Sequence, residues 1–237
     1  VVDANGLPKI STTNKTLGKF TPDWTGGISN TFSYRSLSLS FLIDASVGGS
    51  IFSNTNKTGK YTGVLANTLS GRDAEHGGLW YYTAAMGNNV RLPESPSYSV
   101  SSDGLYYAQV NGQSTRVYQD GIMVEGVTES GSKNEEVVSA EKYYHRIYSI
   151  AEANVYDASY VKLREVALSY RLPRLWTQKL HLQEASVTLT GRNLWTIYKS
   201  VPNIDPESAL TTGNAQGVEA YSLPTTRSFG VNLSVKF

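Results

Sequence analysis

The chain has 237 residues, and its 21 lysines and arginines against 20 aspartates and glutamates give a formal net charge of +1. Such a charge provides no field to hold a phosphate backbone, so we expect no nucleic-acid partner. Cysteine is absent, which excludes disulfide scaffolds, thiol nucleophiles and cysteine-ligated metals. Charged residues make up only 17% of the chain, which also has 16 tyrosines and 21 glycines. This composition favours half-buried β-strands over helix bundles.

Five segments alternate apolar and polar residues with a period of two, which predicts strands with two unlike faces. In chain order they cover residues 24–34, 36–45, 159–170, 184–195 and 228–237. Soluble strands typically have about 5–6 residues. A tilted strand that crosses a bilayer needs about 9–11. Because the segments match the second length, they indicate membrane-spanning strands.

The third segment changes phase along its length. Val161 and Leu163 share one parity, whereas Val166 and the apolar residues after it share the other. One extra residue beside Arg164 or Glu165 would bring both halves onto one face. The phase change therefore predicts a β-bulge at this position.

Short and long connections alternate between the predicted strands. A tight turn at residues 34–36 is followed by the long segment 47–158, which is rich in glycine and tyrosine. The shorter segment 171–183 is followed by the long segment 196–226. Short periplasmic turns and long extracellular loops are typical of outer-membrane barrels. If the final strand ends at the periplasmic side, both long segments lie outside the cell.

This pattern divides the chain into six parts, in the following order: an extracellular loop (1–23), a barrel hairpin (24–46), a long extracellular loop (47–158), two barrel strands joined by a periplasmic turn (159–195), an extracellular loop (196–226) and a final barrel strand (227–237). Aromatic residues, which prefer membrane interfaces, lie at both ends of the predicted strands: Trp24 and Trp195 outside, and Tyr34, Tyr170, Trp176 and Phe237 inside.

The sequence predicts no catalytic residue and no metal ligand. Three histidines are far apart and lack the spacing of zinc sites: His76, His145 and His181. Three glutamates are close in sequence on a polar segment, where we interpret them as solvated charge rather than a glycosidase pair: Glu135, Glu136 and Glu141. Residues 137–150 are compatible with a short helix that packs through an apolar stripe. No cofactor is expected.

Two further features of the long segments have a structural and a functional interpretation. Asp205-Pro206-Glu207 has too few carboxylates for a calcium site, so we interpret it as a rigid turn. Seven tyrosines crowd the segment 47–158, and packing within the segment is the first interpretation. Contact with a sugar or a protein partner is the alternative. They are Tyr81, Tyr82, Tyr98, Tyr106, Tyr107, Tyr143 and Tyr144.

Several ordered motifs resemble one family. The run from 155 to 173, VYDASYVKLRE followed by LSYRLP, resembles a late strand of the SusC/RagA family of TonB-dependent outer-membrane transporters. Similar motifs follow the family's order at 22–27 (PDWTGG), 191–195 (GRNLW), 205–207 (DPE) and 224–237. The resemblance implies an all-β fold of antiparallel strands, which form the C-terminal part of a transmembrane β-barrel of about 22 strands with long extracellular loops.

The resemblance also implies a function and partners. Members of this family import glycans or peptides across the bacterial outer membrane, with energy from TonB and with a SusD-like surface lipoprotein as a lid. The plug and the TonB-contacting N-terminal part are missing from this chain, so its partners would be the remainder of the barrel, the plug and outer-membrane lipid. Phe237, which closes an alternating strand, resembles the signal for barrel assembly. Substrate-binding residues stay unassigned.

A second interpretation comes from another class of protein. A secreted all-β carbohydrate-binding module would also be rich in tyrosine and in alternating strands. Its apolar strand faces would pack against a second sheet of the same chain. The two interpretations therefore differ in what covers the apolar side of the strands.

Overall fold

The computed structural model describes most of the chain, namely residues 1–179, 181–208, 213 and 215–237. Residues 209–212 and 214, which belong to the predicted loop 196–226, and residue 180 of the predicted turn 171–183 lie outside the described residues. No helix among the described residues is long and apolar enough to cross a membrane.

The chain divides into two compact units. The sheet unit comprises residues 17–54 and 155–237, and the inserted unit comprises residues 1–16 and 55–154. The strands of the two units are, in chain order, β1 (Trp24–Tyr34), β2 (Leu37–Val47), β3 (Ser50–Ser53), β4 (Leu79–Thr83), β5 (Asn89–Arg91), β6 (Tyr98–Val100), β7 (Tyr106–Val110), β8 (Gln113–Ile122), β9 (Val138–Ser139), β10 (Val155–Asp157), β11 (Tyr160–Arg171), β12 (Glu184–Lys199), β13 (Val218–Glu219) and β14 (Ser228–Lys236). The helices are α1 (Asn54–Thr62), α2 (Ala140–Ser149) and α3 (Arg174–Lys179), with 3₁₀ turns at Ala66–Thr68, Ala74–His76 and Glu152–Asn154.

The main sheet of the sheet unit has five antiparallel strands in the order β1-β2-β11-β12-β14. Each strand pairs with the strand that precedes or follows it among these five, so the sheet is a meander. Its strands have 9 to 16 residues, and all five coincide with the alternating segments of the sequence. The predicted antiparallel strands are therefore confirmed, and the described chain is mostly β with a few short helices.

The predicted β-bulge is also confirmed. The register of β11 shifts between Leu163 and Glu165 against both of its neighbours, so that Arg164 stands outside the ladder. On β12 the opposite residues are Asn193 and Leu194, and Asn193 adopts a left-handed φ of 51°. Because the extra residue changes the phase, the alternating apolar residues on both sides of the bulge face the same side of the sheet: Val161, Leu163, Val166, Leu168 and Tyr170.

A smaller three-stranded sheet, in the order β10-β3-β13, belongs to the same unit. Since β3 follows β2 and β10 precedes β11, this sheet lies at the end of the main sheet where β2 finishes and β11 starts. Its apolar cluster consists of Ile51, Val201 and Ile204, against which Tyr156 packs.

The inserted unit has a sheet of its own, in the order β5-β4-β8-β7-β6, with β9 paired to β8. Trp80, Ala108 and Val117 form its buried apolar cluster. The sequence predicted one helix here, and α2 confirms it: Ser139 caps its first turn by accepting a hydrogen bond from the Lys142 backbone N–H at 3.3 Å. The sequence did not predict the strands of this segment, because most have only two to five residues, too few to show a period.

Candidate functional site

The apolar residues of the main sheet line up from strand to strand on one face. The register joins neighbouring residues across all five strands in rows, of which one is Phe32, Leu39, Leu168, Leu189 and Val231. Residues paired across a ladder point to the same side of the sheet. The alternation of five separate segments therefore becomes one continuous apolar surface, which we call the apolar face.

The apolar face is exposed. Leu189 is 52% exposed and Val231 is 74% exposed, and Phe32 at the other end of the row is equally accessible. The buried apolar clusters of the described residues include no member of this row. A carbohydrate-binding sandwich would require a second sheet over this face, and the described residues form no such cover.

The opposite face of the main sheet is lined mainly by hydroxyl, amide and glycine residues. One of its rows joins Ser33, Ser38, Ser169, Thr188 and Asn232. The Ser33 and Ser38 hydroxyls lie 2.9 Å apart, and the Thr188 hydroxyl donates to the Ser169 hydroxyl at 2.9 Å. Hydroxyl and amide groups of this kind are readily hydrated, so this face suits an aqueous surrounding. The two faces of one sheet are thus suited to different media.

A buried cluster of charges lies on the polar face near the start of β11. The Lys162 ammonium donates to Asp205 Oδ1 at 2.5 Å and to Glu207 Oε2 at 2.6 Å. The Lys162 side chain is only 3% exposed. A buried ammonium of this kind is stable only when carboxylates compensate it, because its transfer from water is costly.

The bulge residue completes this cluster. Arg164 donates through Nε to Asp44 Oδ2 at 2.9 Å and through Nη1 to Glu207 Oε2 at 2.8 Å. The Tyr160 hydroxyl donates to Glu207 Oε1 at 2.9 Å. We call these residues the charged clamp: Asp44, Tyr160, Lys162, Arg164, Asp205 and Glu207.

The clamp lowers the pKa of its two loop carboxyls, Asp205 and Glu207. Burial by itself would raise the pKa of Asp205, but hydrogen bonds from Lys162 and Thr225 outweigh it and lower the pKa to about 2. Thr225 contributes its hydroxyl at 2.5 Å and its backbone N–H at 3.1 Å, both to Asp205 Oδ2. The pKa of Glu207 is lowered in the same way, by hydrogen bonds from Arg164 and Lys162 that exceed the effect of burial. Both groups are therefore carboxylates at neutral pH.

The clamp ties the connection between β12 and β14 to β11. The sequence predicted a rigid turn at 205–207 but not its partners, although Lys162 and Arg164 alternate on the polar parity of their strand. The carboxylate oxygens of Asp205 and Glu207 accept hydrogen bonds from ammonium, guanidinium and hydroxyl groups. The geometry is therefore that of a structural ion-pair network rather than a calcium site.

The histidines that the sequence analysis considered as metal ligands do not come together in one site. His76 pairs with Asp73 at 2.7 Å, and His145 stacks on Tyr61 with ring centroids 4.1 Å apart. His181 follows α3 in a left-handed conformation. Within the described residues no group of three histidine, aspartate or glutamate side chains could hold a metal ion.

Most of the crowded tyrosines pack inside the inserted unit, as the first interpretation proposed. Tyr98 and Tyr106 contact Trp80 with ring centroids 4.8 and 5.5 Å apart. Tyr81 stacks on Tyr118 and donates to Asp120 at 3.2 Å, and burial raises its pKa. Each of these rings stabilises the unit through aromatic contacts.

Tyr143 and Tyr144 have a different position, because they line an open cleft of about 670 Å³ in the inserted unit. Tyr144 donates to the carbonyl groups of Asn67 and Ser70, each at 3.0 Å. Burial raises the pKa of this tyrosine. Glu141 lies in the first turn of α2, whereas Glu135 and Glu136 precede β9.

Phe237 follows the last residue of β14 and is largely exposed. Its position continues the series of odd-numbered apolar residues of β14. Its role as an assembly signal stays a prediction.

Comparison with known proteins places the chain beside TonB-dependent receptors. The chain is 25% identical over 242 residues to TonB-dependent receptor P3 of Formosa agariphila, and the alignment covers 99% of this chain and 18% of that protein. The resemblance seen in the motifs is therefore confirmed. No family model matches the chain.

The chain also matches solved structures at lower identity. The RagAB peptide importer in its open-open state matches 92% of this chain with 17% identity and a TM-score of 0.45, and its closed-closed state matches 95% with 17% identity and a TM-score of 0.46. The chain covers 17% and 18% of those chains. It thus spans about a fifth of the length of the relatives it matches.

Proposed function

We propose that this chain forms the C-terminal part of the wall of a TonB-dependent importer in the bacterial outer membrane. One observation carries the proposal: a continuous, exposed apolar face covers one side of five hydrogen-bonded strands, whereas the other side is polar. In water such a surface would be a liability. Against lipid tails it is the arrangement that a barrel wall requires.

The rest of the barrel is the first partner in this proposal. β1 and β14 each have one neighbour in the main sheet. In a membrane the unpaired backbone groups of an open edge find no water, so further strands must satisfy them and close the barrel of about 22 strands. The plug and the TonB-contacting part would belong to the same longer protein, and Phe237 would mark its last strand for assembly.

The substrate and the lid follow from the proposed class of importer. The polar face would line a wet interior through which glycans or peptides pass. The two long connections would lie outside the cell, where a SusD-like lipoprotein would cover the mouth. The charged clamp would hold the second of these connections against the wall. In this proposal the chain has no catalytic role.

The test compares two arginine substitutions on adjacent residues of β12. Leu189→Arg places a charge on the apolar face and, near the middle of the bilayer, is expected to cost about 2–4 kcal/mol of folding free energy. Thr188→Arg places the same charge on the polar face and is expected to cost less than about 1 kcal/mol. Urea titration of the intact protein in lipid vesicles measures both. Equal losses for the two variants would contradict the assignment of lipid to the apolar face.

A further inference from the structure

We infer that one end of the main sheet binds the headgroups of anionic phospholipids. This surface, the basic rim, consists of exposed side chains of the β1–β2 turn and of α3: Tyr34, Arg35, Arg174, Leu175, Trp176 and Lys179. The inference rests on the proposed membrane location, and it adds a preference for one kind of lipid at one end of the wall.

Hydrogen bonds bring the two parts of the basic rim to the same end of the sheet. The Arg171 backbone N–H donates to the Ser36 carbonyl at 2.8 Å, which joins the end of β11 to the β1–β2 turn. α3 begins three residues after Arg171 and leads into β12. Arg35 adopts a left-handed φ of 54° in the turn, and its guanidinium lies 5.3 Å from the centre of the Tyr34 ring.

α3 presents apolar and basic side chains together on its outward side. Thr177 is buried and therefore marks the inward side of the helix. At 100° per residue, positions 175 and 179 lie on the opposite side, and position 176 lies on the flank between the two sides. Leu175 is 74% exposed and Trp176 is 59% exposed, next to the exposed Lys179. Exposed tryptophan and leucine beside lysine is the composition of a helix that lies in a membrane interface.

The cations of the basic rim have no acidic partner. Within the described residues, Arg35, Arg174 and Lys179 take part in no ion pair. Glu184 is an acidic side chain at this end, and it pairs with Arg171 at 2.9 Å and lies opposite Lys236 in the ladder. The surface is therefore positively charged.

The other end of the same sheet has a different charge balance. There the clamp carboxylates Asp205 and Glu207 neutralise Lys162 and Arg164. The cations of the basic rim lack carboxylate partners of this kind, which favours an anionic surface at the rim. Phosphatidylglycerol headgroups supply that charge at the depth where the apolar face ends, and each lysine or arginine near such a surface contributes to binding.

The experiment measures which lipid surrounds Trp176 in the intact protein. The protein is placed in phosphatidylethanolamine nanodiscs that contain either brominated phosphatidylglycerol or brominated phosphatidylcholine, both of which quench tryptophan. Subtraction of the Trp176→Phe variant isolates the signal of Trp176. We expect stronger quenching by the anionic lipid. The double variant Arg174→Gln with Lys179→Gln should weaken this preference about tenfold, because it removes two interfacial charges.

A matched control removes the same charge at the other end of the sheet. Lys19→Gln with Arg227→Gln changes two exposed cations near the starts of β1 and β14, and it should leave the preference at Trp176 unchanged. An equal loss in the control, or equal quenching by both lipids in the parent protein, overturns the inference.

Trp195 separates this inference from the proposed function. Trp195 lies on the apolar face, where it pairs with Leu163. If both lipids quench Trp195 but neither quenches Trp176, the basic rim faces water or a protein and the inference fails, whereas the wall proposal stands. If neither tryptophan is quenched, the wall proposal fails as well.

Discussion

The two units of the chain use the same kind of alternation in opposite ways. In the inserted unit the apolar residues are inside: Val117 on β8 is 2% exposed, and Trp80 packs against it. On the main sheet of the sheet unit the apolar residues are outside: Val231 on β14 is 74% exposed, whereas the Lys162 ammonium on the opposite face is buried. The inserted unit therefore buries its apolar residues, whereas the main sheet exposes them, as our proposal of a lipid-facing wall requires.

This difference shows what a period of two specifies. Alternation requires that the two faces of a strand meet different surroundings, but it does not say which surroundings they are. Strand length supplies part of the answer, since the strands of the main sheet are long enough to cross a bilayer and most of those in the inserted unit are not. Three predictions test the contrast, beginning with the largest expected effect.

The first prediction concerns the core of the inserted unit. Trp80→Ala removes a buried ring that contacts Tyr98 and Tyr106, and a cavity of this size typically costs about 3–5 kcal/mol. Hydrogen exchange should increase throughout β4, β7 and β8. Trp195→Ala on the apolar face serves as the control, because it leaves no cavity among buried residues. If Trp80→Ala leaves exchange in β8 unchanged, the inserted unit does not depend on this core.

The second prediction concerns the buried charges of the sheet unit. Lys162→Met keeps the side-chain volume but leaves Asp205 without its ammonium partner, and breaking a buried pair in this way costs about 3 kcal/mol. The midpoint of urea unfolding of the intact protein in lipid measures the loss. Arg192→Gln is the matched control, because its pair with Glu165 is exposed and is worth less than about 1 kcal/mol. A comparable effect of both variants would show that the clamp is no stronger than a surface pair.

The third prediction is a dependence on acid. The pKa of Asp205 is lowered from its ordinary value of 3.8 to about 2 in the folded protein, so its contribution to stability is complete above about pH 4 and is lost as the pH falls through 2. The shift corresponds to about 2 kcal/mol. Unfolding measured between pH 5 and pH 2 should show this loss in the parent protein and a smaller loss in Asp205→Asn. Identical pH profiles would mean that Asp205 does not contribute to the acid sensitivity.

Several features of the fold could be predicted from the residues because they are local. The bulge at Arg164 follows from the parity of Val161, Leu163 and Val166, and the β1–β2 turn follows from the short gap between two alternating segments. The ladder of the inserted unit could not be predicted in this way. β5 and β6 have three residues each, and their pairing depends on contacts with β4 and β7 rather than on their own pattern.

The charged clamp could not be predicted from local sequence patterns either. Asp205 and Lys162 are 43 residues apart, and Asp44 and Arg164 are 120 residues apart. The motif at 205–207 indicated a constrained turn, but no local pattern connects it to the polar side of β11. The bulge itself is a local feature. The ion pair that Arg164 forms at the bulge depends on Glu207, which is distant in the sequence.

The sequence by itself determined that the chain forms long, antiparallel strands with one apolar and one polar face, because side-chain alternation and strand length are properties of consecutive residues. Only the tertiary structure decided that five such strands join their apolar residues into one exposed surface, that the inserted unit buries a core of its own, and that Asp205 and Glu207 bind Lys162 and Arg164. These arrangements depend on which strands pair and in which register, and that choice is made by contacts between residues far apart in the chain.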